Sequence, residues 1–294
     1  LYFQQDWEKC GPAFDLVVEE DPNGPEAPEA AYAAVLCYQK LYDATHQGDK
    51  GRKSSGNLPG QKGGKDAPKK EESLEKKEMN AAKKGMVKAF DRYVCYVKPG
   101  EDQKAKDQYV EVKYARARTY FEEHYWEESA QGFKDVALNN SDHDSGIYAA
   151  QLYLESLNIL GPTQSRSACY DEMGESVPQI IKLYCEGGKA AKNADQCNTL
   201  QKIQSDIERV RADGRIKDAG QGGPQALRKY EEAGNMYLAL AKKCAVEPID
   251  AGQAATCAKP EEILWNAAEA FQSARLVVKS IQTRQYLLNP KYKM

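Results

Sequence analysis

Two distant stretches of the chain share one internal spacing, and that spacing restricts what the chain can fold into. Gln5-Asp6-Trp7-Glu8-Lys9-Cys10, continuing to Phe14, Val17 and Pro22, matches His124-Tyr125-Trp126-Glu127-Glu128-Ser129, Phe133, Val136 and Ser141. Each reads as an aromatic, two charged residues, a small residue, an aromatic four positions later and an aliphatic three beyond that. A third copy, Tyr230-Glu231-Glu232-Ala233 with Tyr237 and Leu240, keeps the same offsets. Steps of four and three place the small and aromatic side chains on one face of a helix. A small side chain there lets a second helix approach, and the aromatic one turn on fills the groove between them.

Ala117 and Tyr120, three apart in Tyr114-Ala115-Arg116-Ala117-Arg118-Thr119-Tyr120-Phe121, supply a matching first helix. The segment 114–140 resembles a tetratricopeptide repeat, and Asn266-Ala267-Ala268-Glu269-Ala270-Phe271 through Ser280 to Asn289-Pro290 resembles a degenerate repeat in the same frame. The resemblance implies an all-α fold, a right-handed α-solenoid of antiparallel helix pairs forming a single domain over residues 5–294. It also implies a concave face lined by the first helix of each repeat. Carried onto this sequence, the partner-binding positions are Tyr114, Arg118, Phe121 and Glu122 in one repeat and Trp265, Glu269 and Gln272 in the last.

Composition agrees with helices. Charged residues make up 29% of the chain, and almost no stretch alternates apolar with polar at period two. A net charge of -3 offers no basic field for a phosphate backbone, so nucleic acid is not an expected partner. No run approaches the ~20 apolar residues needed to span a bilayer. Leu1-Tyr2-Phe3-Gln4 resembles the end of an engineered protease-cleavage tag and is set aside.

Helices are expected over 5–20, 26–44, 78–97, 108–139 with one interruption, 145–160, 177–184, 199–212, 224–243 and 261–288. Gly161-Pro162, Gly214 and Gly220 to Gly223 serve as breaks. Residues 47–77 interrupt one repeat. They are rich in Gly, Ser, Pro and Lys with scarcely an apolar side chain, which predicts a flexible low-complexity insertion.

Eight cysteines bear on compartment. None forms a Cys-x-x-Cys pair, so zinc spacing is absent. Cys185 ends one helix and Cys197 opens the next; Cys244 and Cys257 stand in the same relation. In an antiparallel hairpin those ends are adjacent, so each pair is expected to form a disulfide across its loop. Cys10 with Cys37 is a third expected pair, while Cys95 and Cys169 stay unassigned.

No reactive constellation emerges. His46, His124 and His143 are scattered, and no phosphate loop or Gly-x-Ser-x-Gly occurs. Ser141-Asp142-His143-Asp144 reads as a polar helix start rather than a metal site. No catalytic residue, metal or cofactor is assigned. The expectation is a non-enzymatic scaffold that binds a protein or peptide segment within a bacterial envelope assembly of secretion, outer-membrane or motility type. Disulfides imply an extracytoplasmic, periplasmic setting. A helical accessory domain of a larger enzyme or receptor is the alternative, and a cytosolic co-chaperone would instead predict free thiols.

Overall fold

The computed structural model describes residues 1–45, 73–98, 101–163, 167–244 and 260–288. Among these, the regular structure is all helical, and the chain divides into two compact units. The first holds α1 (Trp7–Glu20), α2 (Ala27–Thr45), α3 (Ala81–Tyr96), α4 (Gln103–Glu122), α5 (Trp126–Asn139) and α6 (Gly146–Thr163). The second holds α7 (Ser167–Cys185), α8 (Lys189–Lys192), α9 (Ala194–Gly220), α10 (Ala226–Cys244), α11 (Pro260–Ser273) and α12 (Val277–Leu287). Within each unit the long helices pack chiefly on their neighbours in the chain, α1 on α2 through α5 on α6, and α7 on α9 through α11 on α12.

Local chemistry explains the boundaries. Asn80 and Asp102 stand just before α3 and α4, and their side chains accept from the amides of Lys83 and Ala105, each at 2.9 Å. Those bonds satisfy amides that the first turn of a helix leaves without partners. Three breakers do not break. α6 continues through Gly161-Pro162 to Thr163, α7 runs ten residues earlier than expected and through Pro178, and α9 passes Gly214. Apolar burial along these helices, with Met173, Val177, Ile180, Leu200, Ile203 and Ile207 all sequestered, outweighs the local cost of glycine or proline.

The expected small contacts are all interior: Cys10, Ser129, Ala117 and Ala233 have no exposed surface. Their partners are more specific than the spacing implies. Ser129 meets α6, with its hydroxyl 3.1 Å from that of Ser156. Gly132 provides the close approach of α5 to α4, since a Cβ added there would stand 2.8 Å from the Ala117 methyl. In the second unit Gly234 lies against the Phe271 ring in the same manner.

One turn recurs. Gln5, His124 and Arg275 have φ of 59°, 64° and 62°, and each stands two residues before a helix, α1, α5 or α12. The hydrogen bonds repeat as well. Asp6, Tyr125 and Leu276 donate to the carbonyls of Leu1, Tyr120 and Phe271 five residues back, and Gln5, His124 and Arg275 donate three residues back. At His124 and Arg275 this is a Schellman closure of α4 and α11 with a non-glycine residue in the left-handed position, and at Gln5 the same bonds close a turn with no helix before it. The third copy thus stands at Arg275, in the segment read as degenerate. α10, which carries Ala233, is instead preceded by Gly222 and Gly223 at φ of 81° and 95°.

The first two copies agree further downstream. Asp21, Gly24, Ala27 and Ala30 make the same backbone bonds as Asn140, His143, Gly146 and Ala149, at a constant offset of about 119 residues. His143 belongs to this turn: its Nδ1 accepts the Ser145 amide at 3.1 Å and lies 2.7 Å from the Ser145 hydroxyl. Residues 141–144 form a turn leading into α6, and the side chain seen accepting a backbone amide there is His143 rather than an Asp or Ser.

Two disulfides join neighbouring helices. Cys10–Cys37 ties α1 to α2 and Cys185–Cys197 ties α7 to α9, both with Cα atoms 5.6 Å apart. Cys244 is also disulfide-bonded, whereas Cys257 lies outside the described residues. Cys95 is an exposed free thiol and Cys169 a buried one. Of the expected insertion at 47–77, residues 47–72 likewise lie outside the described residues, but Ser73 to Lys77 is placed.

Candidate interaction surfaces

In the second unit the three expected positions come together. Trp265, Glu269 and Gln272, spaced four and three apart on α11, share one exposed face. Arg284, reaching across from α12, joins them: its Nη2 donates to Glu269 Oε1 at 2.5 Å and to Gln272 Oε1 at 2.7 Å, and its guanidinium lies 5.4 Å from the Trp265 ring. The indole keeps 46% of its surface exposed. A half-exposed tryptophan beside an oriented guanidinium combines apolar area with directional donors, a composition common at the centre of protein interfaces. Arg284 went unrecognised in the sequence because it stands on the second helix, where the frame expects a packed aromatic.

The corresponding positions in the first unit behave differently. Tyr114 is half-buried, its ring 5.4 Å from Phe133. Arg118 is bonded to Glu122 through Nε at 3.1 Å. Burial disfavours the Arg118 charge, yet the bond to Glu122 and the Tyr114 hydroxyl more than offset that and hold the guanidinium protonated. Phe121 requires correction. It is fully buried, with ring centroids 5.3 Å from Trp126 and 6.2 Å from Phe133, so it is a core residue and not a contact for a partner. Ala117, one turn earlier on the same side of the helix, is also fully buried, against Gly132 of α5.

Sequence reasoning overlooked another feature of this unit. The segment Leu74–Lys77, bent at Glu75, lies across the α4–α5 turn. Trp126 Nε1 donates to the Leu74 carbonyl at 2.8 Å, His124 Nδ1 faces the Glu75 carbonyl at 2.9 Å, and the Lys77 amide donates to the Glu123 carbonyl at 3.0 Å. Lys76 adds an ion pair to Glu128 at 3.1 Å and stands 4.0 Å over the Tyr125 ring. Beneath it His124 and Trp126 are stacked, 4.9 Å between centroids and 15° apart in plane.

Beside α1 a cleft is lined by Tyr2, Phe3, Gln5, Trp7 and Lys40. Two of these belong to the tag-like residues, so it is not assigned a role. Among the described residues no group of His, Cys, Asp and Glu is arranged to hold a metal ion, and no helix is long and apolar enough to cross a membrane. Comparison with protein-family models, with curated proteins and with solved structures returned no match.

Proposed function

We propose that this chain is a non-enzymatic interaction scaffold of tetratricopeptide-like type, a right-handed solenoid acting in an oxidising extracytoplasmic compartment such as the periplasm of a bacterial envelope. The Schellman turn shared by His124 and Arg275 supports the reading. The same closure, made without glycine ahead of α5 and of α12, fits one hairpin unit used more than once, and such units present long surfaces to protein or peptide segments. Its partner-binding surface is the α11 face of Trp265, Glu269 and Gln272 with Arg284. The two disulfides support the compartment, since thiols stay reduced in most cytosols. Membership of a secretion, outer-membrane or motility assembly is argued by analogy alone.

A photo-crosslinking residue placed at Trp265, with Leu227 as an equally exposed control in the same unit, tests the surface in envelope extract. The expected result is an adduct to one envelope protein from position 265 and none from 227. Adducts from neither, or the same adducts from both, overturn the assignment. Thiol counting in denaturant, without reductant, tests the compartment: Cys10, Cys37, Cys185, Cys197 and Cys244 are all disulfide-bonded, leaving at most three of the eight cysteines reactive.

A further inference from the structure

The segment Leu74–Lys77 is held in an unusual way. Every residue from Ser73 to Glu78 is exposed, yet the pair it covers is buried, with His124 and Trp126 at 4% and 5% exposure. Three of its contacts are to its own main chain, two carbonyls and one amide. The others are made by lysines: Lys76 to Glu128 and the Tyr125 ring, and Lys77 Nζ to the Glu122 carbonyl at 3.3 Å. Of its side chains only Leu74 is apolar, and it keeps 36% of its surface exposed, while Met79 just beyond the segment is buried. Water competes for such bonds, so the segment is a cover that can leave.

The fold does not need that cover. The same turn closes at Arg275, where the residue equivalent to Trp126 is Val277, 59% exposed, and at Gln5, where it is the half-buried Trp7. A strap is therefore an addition at the α4–α5 turn. From these observations we propose that the α4–α5 turn is a receptor for a lysine-bearing peptide segment of a partner protein, and that Leu74–Lys77 is its resident occupant, displaced when the partner binds. The receptor reads backbone through Trp126 Nε1, His124 Nδ1 and the Glu123 carbonyl, and charge through Glu128. This holds whether or not the α11 face binds a partner, because it rests on a different unit.

The test uses the full chain with Trp7→Phe and Trp265→Phe, leaving Trp126 as the sole indole. Lys76→Glu with Lys77→Pro removes the ion pair and the amide donor and opens the strap. The opened protein is expected to keep its helix content, to show Trp126 more accessible to acrylamide, and to bind a labelled peptide Ser-Leu-Glu-Lys-Lys-Glu in trans. The unopened protein should bind it about tenfold more weakly, since its own segment competes. Adding Glu128→Lys to the opened protein should weaken peptide binding by about tenfold. Unchanged quenching, no binding by the opened protein, or indifference to Glu128→Lys overturns the proposal. Loss of helix content in Lys76→Glu alone also overturns it, by making the strap structural. Lys76→Glu alone, at an exposed position, gives the quenching readout should the proline be incompatible with folding.

Discussion

The Ser129 hydroxyl lies 3.1 Å from that of Ser156, and this contact between α5 and α6 occupies the place that the Cys10–Cys37 disulfide holds between α1 and α2. Both pairs are 27 residues apart in sequence. Replacing both serines by cysteine should therefore produce a third described staple without moving the helices, given that the Cys10 and Cys37 Cα atoms are 5.6 Å apart. Oxidation of Ser129→Cys/Ser156→Cys is expected to be complete by mass spectrometry and to stabilise the first unit by about 3 kcal/mol. A pair of thiols that stays reduced under oxidant would deny the equivalence.

The ring of Tyr38 runs between two glycines. An added Cβ at Gly11 would stand 2.7 Å from it, and one at Gly85 2.8 Å. Gly→Ala within a helix ordinarily gains about 1 kcal/mol. Here overpacking should cost about 1 to 3 kcal/mol and reverse the sign. Chemical denaturation of Gly11→Ala and Gly85→Ala separates the two effects: a net loss is expected in both, and a gain in either shows that Tyr38 has room to move.

Tyr38 and Tyr237 each donate to an aspartate, Asp15 at 2.8 Å and Asp213 respectively. Burial, and then these carboxylates, raise both phenols above the ordinary value of 10.0. A folded value above the unfolded one means that the native state binds the proton more tightly. The contribution is complete below 10.0 and is lost as pH rises beyond it. Denaturant midpoints should fall in that alkaline range, and less steeply in Tyr38→Phe/Tyr237→Phe. Identical slopes would contradict the assignment.

Arg92 of α3 reaches α1, where it pairs with buried Asp15 and bonds Glu19 at 2.6 Å. Only 9% of its side chain is exposed. Removing one member of a buried pair leaves the other charge desolvated, so Arg92→Ala should cost about 3 to 5 kcal/mol. Lys88→Ala, at an exposed lysine 4.0 Å from the same Glu19, should cost under about 1 kcal/mol. Equal losses in urea unfolding would show that burial of the pair is not what matters.

Much of the helical plan is legible from spacing alone because small and aromatic residues at steps of four and three must face another helix. That logic finds Cys10, Ser129, Ala117 and Ala233 in the interior, and the adjacency of helix ends in a hairpin pairs Cys185 with Cys197. It does not say which helix is faced. Tyr-Glu-Glu-Ala at 230 matches the template because α10 too packs a small residue and an aromatic, although its preceding turn is made by glycines. The turn itself is hidden, since Gln5, His124 and Arg275 carry no glycine to mark a positive φ. Phe121 looks like a surface residue until the start of α5 is placed over it. The strap escapes notice altogether. Its bonds are to backbone, and a polar segment without periodicity gives no sign of what it covers.

The account rests on one hairpin geometry used repeatedly. Backbone chemical shifts and amide-to-Hα couplings of the labelled protein report φ at each residue directly. Positive φ at His124 and Arg275, with slowly exchanging amides at Tyr125 and Leu276, is the predicted result. Negative φ at either residue, or unprotected amides after them, would contradict it.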